Sequence, residues 1–169
     1  MTRIPTTPPT LRTTLIALGL AVAVALPVLA QPERPAIGGK DLDDLMVALE
    51  REYRLWTVYD RAVRDLGAGE PFLTARRERA ERLRRLTDLY QAYGLAVPGN
   101  PWEGRLAPFA ERSAACLAGF RAELAIGDLY DELSERAGRE ELAALYRASN
   151  EAPPAWLEEL RDCALEGEV

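Results

Sequence analysis

The stretch Leu49–Tyr59, LEREYRLWTVY, decides the fold because it carries an apolar stripe at helical spacing with an acid inside it. Alternating steps of four and three residues place the following positions on one helix face: Leu45, Leu49, Glu52, Trp56, Tyr59, Val63 and Leu66. Such a stripe is typical of a helix that packs against other helices in a bundle. An acid in it is costly unless it is paired, protonated or bound to a metal. The partner of Glu52 is therefore the main functional question.

Residues 1–30 predict a cleaved secretory signal peptide. Arg3 and Arg12 make a positive n-region, Leu15–Leu26 is apolar, and Val28–Ala30 is a small-residue cleavage pattern. The apolar run is shorter than the roughly 20 residues of a spanning helix, which favours cleavage before Gln31. A retained leader that anchors the protein in a membrane is the alternative.

The remaining chain is interpreted as a flexible tether over residues 31–40, rich in Pro and Gly, followed by a helical domain over residues 41–165. The signal predicts a periplasmic or secreted protein with no stable membrane anchor once the leader is removed.

Composition excludes several kinds of chemistry. The 169 residues contain no His, so the commonest general base and the commonest metal ligand are both missing. A Ser-His-Asp triad is therefore impossible, and no Gly-rich phosphate loop occurs. Without the leader the chain carries 19 basic and 27 acidic residues, a net charge of −8. Such a surface repels phosphates, so nucleic acid is not an expected partner.

Periodicity and stop signals divide the mature chain into four predicted helices, with no strand pattern. They cover Leu42–Leu66 with Asp41 as N-cap, Pro71–Tyr93, about Pro108 to Arg136 with Gly138 as the stop, and the segment from about Arg139 onward. Pro153 and Pro154 break the fourth helix, which resumes at Trp156. The predicted architecture is all-α, made of two antiparallel helical hairpins. The linker Leu95–Leu106 joins the hairpins, and Trp102 is expected to anchor it.

The later helices also carry apolar faces. The face of helix 2 is Phe72, Ala75, Arg79, Arg82 or Leu83, Leu86, Tyr90 and Tyr93. Helix 3 carries two adjacent stripes: Phe109, Ser113, Cys116, Phe120, Glu123, Gly127 and Tyr130, and then Ala114, Leu117 and Leu124. Glu123 is thus a second acid in line with apolar neighbours. The tyrosines are expected to pack the core with their hydroxyls at its edge.

The two cysteines, Cys116 and Cys163, are too few for a zinc site and predict a disulfide in an exported protein. If helices 3 and 4 are antiparallel about a turn near Gly138, both cysteines lie at similar heights, within about 5 Å. Two buried free thiols are the alternative.

Three segments resemble a known family. E-R-E-Y-R-L-W-T-V-Y at Glu50–Tyr59 resembles the first-helix signature of ferritin-like proteins in the prokaryotic family named domain of unknown function 2202. That signature has three successive acids and then a basic and apolar segment ending in Tyr; here two acids, Glu50 and Glu52, are present. The second segment runs from Pro71 through Tyr93-Gly94-Leu95 to Pro98, Asn100 and Pro101, and resembles the family's second helix and its exit loop. The third runs from Glu123 to Asp128-Leu129 and resembles the family's third-helix acidic segment. The resemblance covers about Leu42 to Leu160.

The resemblance implies a ferritin-like four-helix bundle. In ferritin-like di-metal proteins, a Glu from each of two helices and a Glu-x-x-His from each of the other two converge in the core. Counted back from Tyr93-Gly94, the helix 2 slot falls on Arg79-Ala80-Glu81-Arg82, and the His position of helix 4 falls near Trp156. Glu52 and Glu123 remain as candidate carboxylate ligands. No metal is therefore expected, with iron or manganese as the alternative.

The arginines in the ligand slots predict a different core. Arg79 and Arg82 would place guanidinium groups where cations bind in the family, and form an ion-pair network with Glu52 and Glu123. The alternative is a register shifted by one residue, with these arginines extended to solvent.

Two functions follow as hypotheses. The first is a non-catalytic ferritin-like bundle that acts as a binding or structural module with an unidentified protein or small-ligand partner. The second is a carboxylate-bridged, metal-binding ferritin-like oxidoreductase, which would need Glu52, Glu123 and two more inward-facing acids.

Overall fold

The computed structural model describes residues 36–151 and 155–166, and these residues form an all-α fold. Within them the chain has five helices and no strand, which confirms the predicted fold class: α1 (Lys40–Leu66), α2 (Phe72–Ala92), α3 (Arg112–Arg136), α4 (Glu140–Ser149) and α5 (Trp156–Leu165). The predicted leader, the first part of the tether, and Pro153 and Pro154 lie outside the described residues.

The helices pack as two sets that meet through α1 and α3. Helix α1 packs on α2, α3 packs on both α4 and α5, and α1 also packs on α3. The core consists of the inner faces of these helices and contains Leu45, Leu49 and Tyr59 of the predicted α1 stripe, with Val63 and Leu66 packed against it. None of the helices in the described segments combines the length and apolar character needed to cross a bilayer.

Helices α4 and α5 together follow α3 in the opposite direction. Near the end of α3 the ring of Tyr130 stacks on Tyr146 of α4, with ring centroids 5.9 Å apart. Near its start, Cys116 is joined to Cys163 of α5 by a disulfide, with Cα atoms 5.9 Å apart. Later residues of α3 thus face earlier residues of the C-terminal helices. The predicted fourth helix is therefore two helices, separated by the segment that contains the two prolines, and the predicted disulfide is confirmed.

Two predicted helix starts were wrong. Helix α1 begins at Lys40 with Gly39 as N-cap, and the Asp41 carboxylate accepts a hydrogen bond from the Gly138 N–H at 2.8 Å instead of capping its own helix. Helix α3 begins at Arg112 and not near Pro108, because the backbone N–H of Phe109 donates to Asp65 at 3.3 Å in an extended approach to the helix. At the other end, α3 finishes at Arg136 with Ala137 as C-cap, just before the predicted Gly138 stop.

The second stripe predicted on α3 was also wrong. Ala114 and Leu124 are exposed, and Leu124 keeps 49% of its surface. The face that packs inward is Ala115, Cys116, Gly119, Glu123, Ile126, Tyr130 and Leu133. From Cys116 onward these positions follow one another at steps of three and four residues, as in Cys116, Gly119 and Glu123. Gly119 lies in this face, and a glycine gives no hydrophobic signal in the sequence.

The linker between α2 and α3 has no regular structure and is held against α1 by side chains. The Tyr53 hydroxyl donates to the Pro98 carbonyl at 3.0 Å, and the Asn100 amide donates to Thr57 Oγ1 at 2.9 Å. The Trp102 indole N–H donates to Glu50 at 2.8 Å, which makes Trp102 the expected anchor.

Candidate functional site: a buried ion-pair cluster

Arg79 lies in the middle of α2 with its side chain in the core. It is 1% exposed, and the two acids beside it, Glu52 of α1 and Glu123 of α3, are 0% and 6% exposed. The three charged residues lie on the inward-facing stripes of α1, α2 and α3. The hydrophobic residues on either side of them in each stripe pack in the core. A side chain this large and charged is buried only where its charge is matched.

The guanidinium of Arg79 bridges the two acids. Its Nε donates to Glu123 Oε1 at 3.0 Å and its Nη2 donates to Glu123 Oε2, so the contact with Glu123 is bidentate. Its Nη1 donates to Glu52 Oε1 at 2.9 Å. Bidentate, charge-assisted hydrogen bonds of this kind are among the stronger polar contacts in proteins and fix the orientation of both groups.

Two tyrosines complete the cluster, and sequence reasoning placed their hydroxyls incorrectly at the edge of the core. The Tyr59 hydroxyl donates to Glu123 Oε1 at 2.5 Å, and the Tyr130 hydroxyl donates to Glu52 Oε1 at 2.6 Å. We define the buried ion-pair cluster as Arg79, Glu52, Glu123, Tyr59 and Tyr130.

A signal for these tyrosines exists in the sequence. Each acid is followed seven residues later on its own helix by a Tyr, as Glu52 by Tyr59 and Glu123 by Tyr130. In the structure each Tyr donates to the acid of the other helix. This crossed arrangement requires α1 and α3 to be antiparallel, so the repeated spacing predicts the pairing only once the helix direction is known.

Close packing holds Tyr59 in place. A Cβ added at Gly119 of α3 would lie 2.8 Å from Tyr59 Cε1, so glycine is required where the ring crosses the helix. Trp156 of α5 packs edge-on against the Tyr59 ring at 5.9 Å, and the Arg79 guanidinium carbon also lies 5.9 Å from the Trp156 ring centroid. The resemblance places the His position of helix 4 near Trp156. In the structure the Trp156 indole lies there, beside the Arg79 guanidinium.

The electrostatics of the cluster reflect burial and pairing together. Burial by itself lowers the pKa of Arg79, but the charges of Glu52 and Glu123 outweigh it and raise the pKa above its usual range. Burial raises the pKa of Glu123, and the nearby Arg79 and the Tyr59 hydrogen bond offset this only in part. Burial also raises the pKa values of Tyr59 and Tyr130 well above normal, and the adjacent carboxylates raise them further. Both phenols therefore stay protonated and act as hydrogen-bond donors.

One atom of the cluster lacks a partner. With two carboxylates and one guanidinium, the ionised cluster carries a charge of −1 in the core. Every oxygen of Glu123 accepts a hydrogen bond, whereas Glu52 Oε2 is buried and has no partner among the described residues. A buried acceptor without a hydrogen bond costs free energy, and Glu52 Oε2 is the atom of the cluster that bears this cost.

The structure does not bring Arg82 into the cluster. Its Nη1 donates to the Ser149 carbonyl at the end of α4, at 2.5 Å, and among the described residues it forms no ion pair with Glu52 or Glu123. Arg82 is three residues beyond Arg79, so its side chain is displaced around the helix toward α4. There it lines a cavity of about 210 Å³ that also reaches Arg79 and Glu123.

The residues present do not fit a di-metal centre. Within the part of the chain that is described, no group of three or more His, Cys, Asp or Glu is arranged to hold a metal ion. The two inward acids face a guanidinium, whose positive charge occupies the space between them. Glu81 is exposed on the outer side of α2, and Glu50 accepts the hydrogen bond from Trp102.

Comparison of the chain with protein-family models, curated proteins and solved structures found no significant match.

Proposed function

We propose that this chain is an exported, non-catalytic ferritin-like four-helix-bundle protein that acts as a binding or structural module. In this proposal Arg79 provides the positive charge that metal ions provide in related bundles. The observation that carries the proposal is the position of the Arg79 guanidinium between Glu52 and Glu123, with its side chain excluded from solvent. The resemblance to the family named domain of unknown function 2202 remains part of the proposal.

The order of the helices supports a bundle. Glu52 and Asp60 of α1 pair with Arg79 and Arg76 of α2, so the later α1 residue contacts the earlier α2 residue, as in an antiparallel hairpin. Helix α3 pairs in the same antiparallel sense with α4 and α5, which together take the place of a fourth helix. Acids from the first and third helices meeting at mid-height is the ferritin-like feature that remains.

Metal analysis of the protein as purified tests this function. The mature chain, prepared without chelator and then dialysed against iron(II) or manganese(II), is expected to hold substoichiometric metal, because the guanidinium repels a divalent cation. Elemental analysis by mass spectrometry provides the measurement. Stoichiometric iron or manganese in the wild-type protein would overturn the proposal in favour of the oxidoreductase.

A matched variant shows whether Arg79 is the cause. Arg79→Glu replaces the cation with a third carboxylate and is expected to raise the metal content if it folds, whereas Arg84→Glu on the exposed face of α2 is not. Circular dichroism identifies variants that fail to fold. Equal metal content in a folded Arg79→Glu variant and the wild type would contradict the role assigned to Arg79.

A further inference from the structure

A second cavity, of about 410 Å³, lies where the linker crosses α1 and α2. We call it the linker pocket. Its lining includes Tyr53, Trp56, Asp60 and Arg64 of α1, Leu83 of α2 and Glu103 of the linker. The volume falls in the range of cavities that hold small organic ligands, and the walls combine rings and aliphatic groups with a few polar groups, as such sites do.

The linker wall of this pocket is held in position although it has no helix or strand. Asn100 lines the pocket, donates to Thr57 on α1 and accepts the Trp102 backbone N–H, both at 2.9 Å. The Tyr53 hydroxyl donates a hydrogen bond to the Pro98 carbonyl at 3.0 Å. A loop fixed by side-chain bonds at the edge of a cavity is a preformed wall, which lowers the ordering cost of binding.

Trp56 is the feature of the pocket that packing alone does not explain. Its position on the α1 stripe predicts a core residue, yet the structure leaves it partly exposed as a wall of the linker pocket. The core beneath is filled instead by Leu55 and Tyr59, which are 1% and 0% exposed. An exposed indole face gains stability when an apolar group covers it, so Trp56 is a surface suited to a ring.

The charges indicate which end of the pocket is positive. Asp60 of the pocket wall accepts from Arg64, also on the wall, at 2.5 Å and from Arg76, which lies outside the lining, at 3.2 Å, so two guanidinium groups meet one carboxylate. Arg64 keeps 61% of its side chain exposed, and its remaining N–H groups are available to a ligand. Trp56 and Arg64 are eight residues apart on α1, about 12 Å along the helix axis. Glu103 is an exposed acid on the linker side.

We propose that the linker pocket binds a small arylalkyl carboxylate, with its ring against Trp56 and Tyr53 and its carboxylate on Arg64. A guanidinium matches a carboxylate in geometry and charge, while the rings supply apolar contact area at the other end. The pocket gives the binding role in the proposed function a site and a ligand class. It shares no residue with the buried ion-pair cluster, so stoichiometric metal at the cluster would overturn the proposed function and leave this inference standing.

Three probes with one common ring and chain test the ligand class: 3-phenylpropionate, 3-phenylpropanol and 3-phenylpropylamine. Two-dimensional NMR of the full mature chain resolves the indole N–H signals of Trp56, Trp102 and Trp156, and Trp56→Phe assigns the first. The carboxylate is expected to shift the Trp56 signal and leave Trp156 unchanged. It should bind at least about tenfold more tightly than the alcohol or the amine.

Charge variants provide the decisive comparison. Arg64→Gln is expected to weaken 3-phenylpropionate binding about tenfold, and Glu103→Gln to strengthen it severalfold by removing a repulsive charge. Arg84→Gln, an exposed arginine of α2 outside the pocket, is the control and should change nothing. Tighter binding of the amine, or loss of the Arg64 dependence, would overturn the assigned class. Absence of any Trp56 shift with 3-phenylpropionate at about 10 mM would overturn the site itself.

Discussion

Arg79 is the one positive charge that pairs with both Glu52 and Glu123 in the core of the described residues. Without its guanidinium, two carboxylates from different helices would face one another in a medium that solvates them poorly. With it, three of the four carboxylate oxygens of Glu52 and Glu123 accept hydrogen bonds, and among these four only Glu52 Oε2 is left without a donor in the described residues. Apolar residues of similar volume can stabilise a core as well as a buried ion-pair cluster does, whereas removal of one partner alone is strongly destabilising.

A double-mutant cycle tests whether Glu52 and Arg79 act together. Glu52→Ala and Arg79→Leu are each expected to lower the free energy of unfolding by about 3–5 kcal/mol, because each strands a buried charge. The double variant should lose less than the sum by more than about 1 kcal/mol. Urea denaturation gives the values. The exposed pair Arg84 and Asp88, 69% and 57% exposed, is the control and should couple weakly. Additive losses at Glu52 and Arg79 would rule out the network.

The raised pKa of Glu123 predicts a direction of pH dependence. Because burial raises this pKa above that in the unfolded chain, the native state binds the proton more tightly. The stabilising contribution is thus complete below the unfolded pKa and is lost as the pH rises through the folded pKa. The unfolding free energy of wild type minus that of Glu123→Gln should therefore fall as the pH rises above the ordinary pKa of a Glu carboxyl, about 4.3.

Denaturation at a series of pH values measures this difference. Glu81→Gln removes an exposed carboxyl of α2 and serves as the control for a simple change in charge. A wild-type advantage over Glu123→Gln that grows with pH would show that pairing with Arg79 dominates burial at this carboxyl.

At the scale of elements, α3 is the helix on which α1, α4 and α5 all pack. It meets α1 through the crossed Glu–Tyr pairs, α4 through the stacked Tyr130 and Tyr146, and α5 through the disulfide. Gly119 permits the contact of α3 with Tyr59 of α1, since a Cβ there would lie 2.8 Å from Tyr59 Cε1. The α1–α3 contact therefore depends on one missing side chain as much as on the groups that are present.

The disulfide is expected to stabilise the end of the fold where α5 docks. Cys116 and Cys163 enclose 47 residues, and closing a loop of this size stabilises the native state by about 3–4 kcal/mol in the chain-entropy model. The Cys116→Ser/Cys163→Ser double variant should lose this amount in urea denaturation, and the reduced wild type should lose a similar amount. Equal stability of the oxidised and reduced wild type would contradict the prediction.

At the scale of the whole molecule, the acidic surface is separate from the buried ion-pair cluster. The surface is acidic overall, with a sequence pI of about 4.9, whereas the groups of the buried ion-pair cluster are shielded from solvent. Two cavities in the described residues are available to a ligand: the linker pocket, which shares no residue with the cluster, and the cavity beside Arg82, which reaches Arg79 and Glu123.

Expression of the full chain tests the proposed export of the protein. Expression of the full chain in a bacterial host with its own leader is expected to yield a periplasmic protein whose N-terminus is Gln31, because Val28–Ala30 provides the cleavage pattern. Intact-mass measurement of the purified protein gives the answer. A mass that includes residues 1–30, found in the membrane fraction, would support the retained anchor instead.

The sequence favoured the disulfide between Cys116 and Cys163 and left two free thiols as the alternative. By itself it determined the helical class, the approximate helix bounds and the burial of Glu52 and Glu123. These features are local, because a period of 3.6 residues, a Gly stop and a rise of 1.5 Å per residue are readable along one chain segment. Only the tertiary structure decided that Arg79 and not Arg82 meets the acids, that Tyr59 and Tyr130 cross to the opposite helix, and that Trp56 lines a pocket. Those outcomes depend on the rotation of each helix about its own axis, which is set when side chains from different helices compete for the same space.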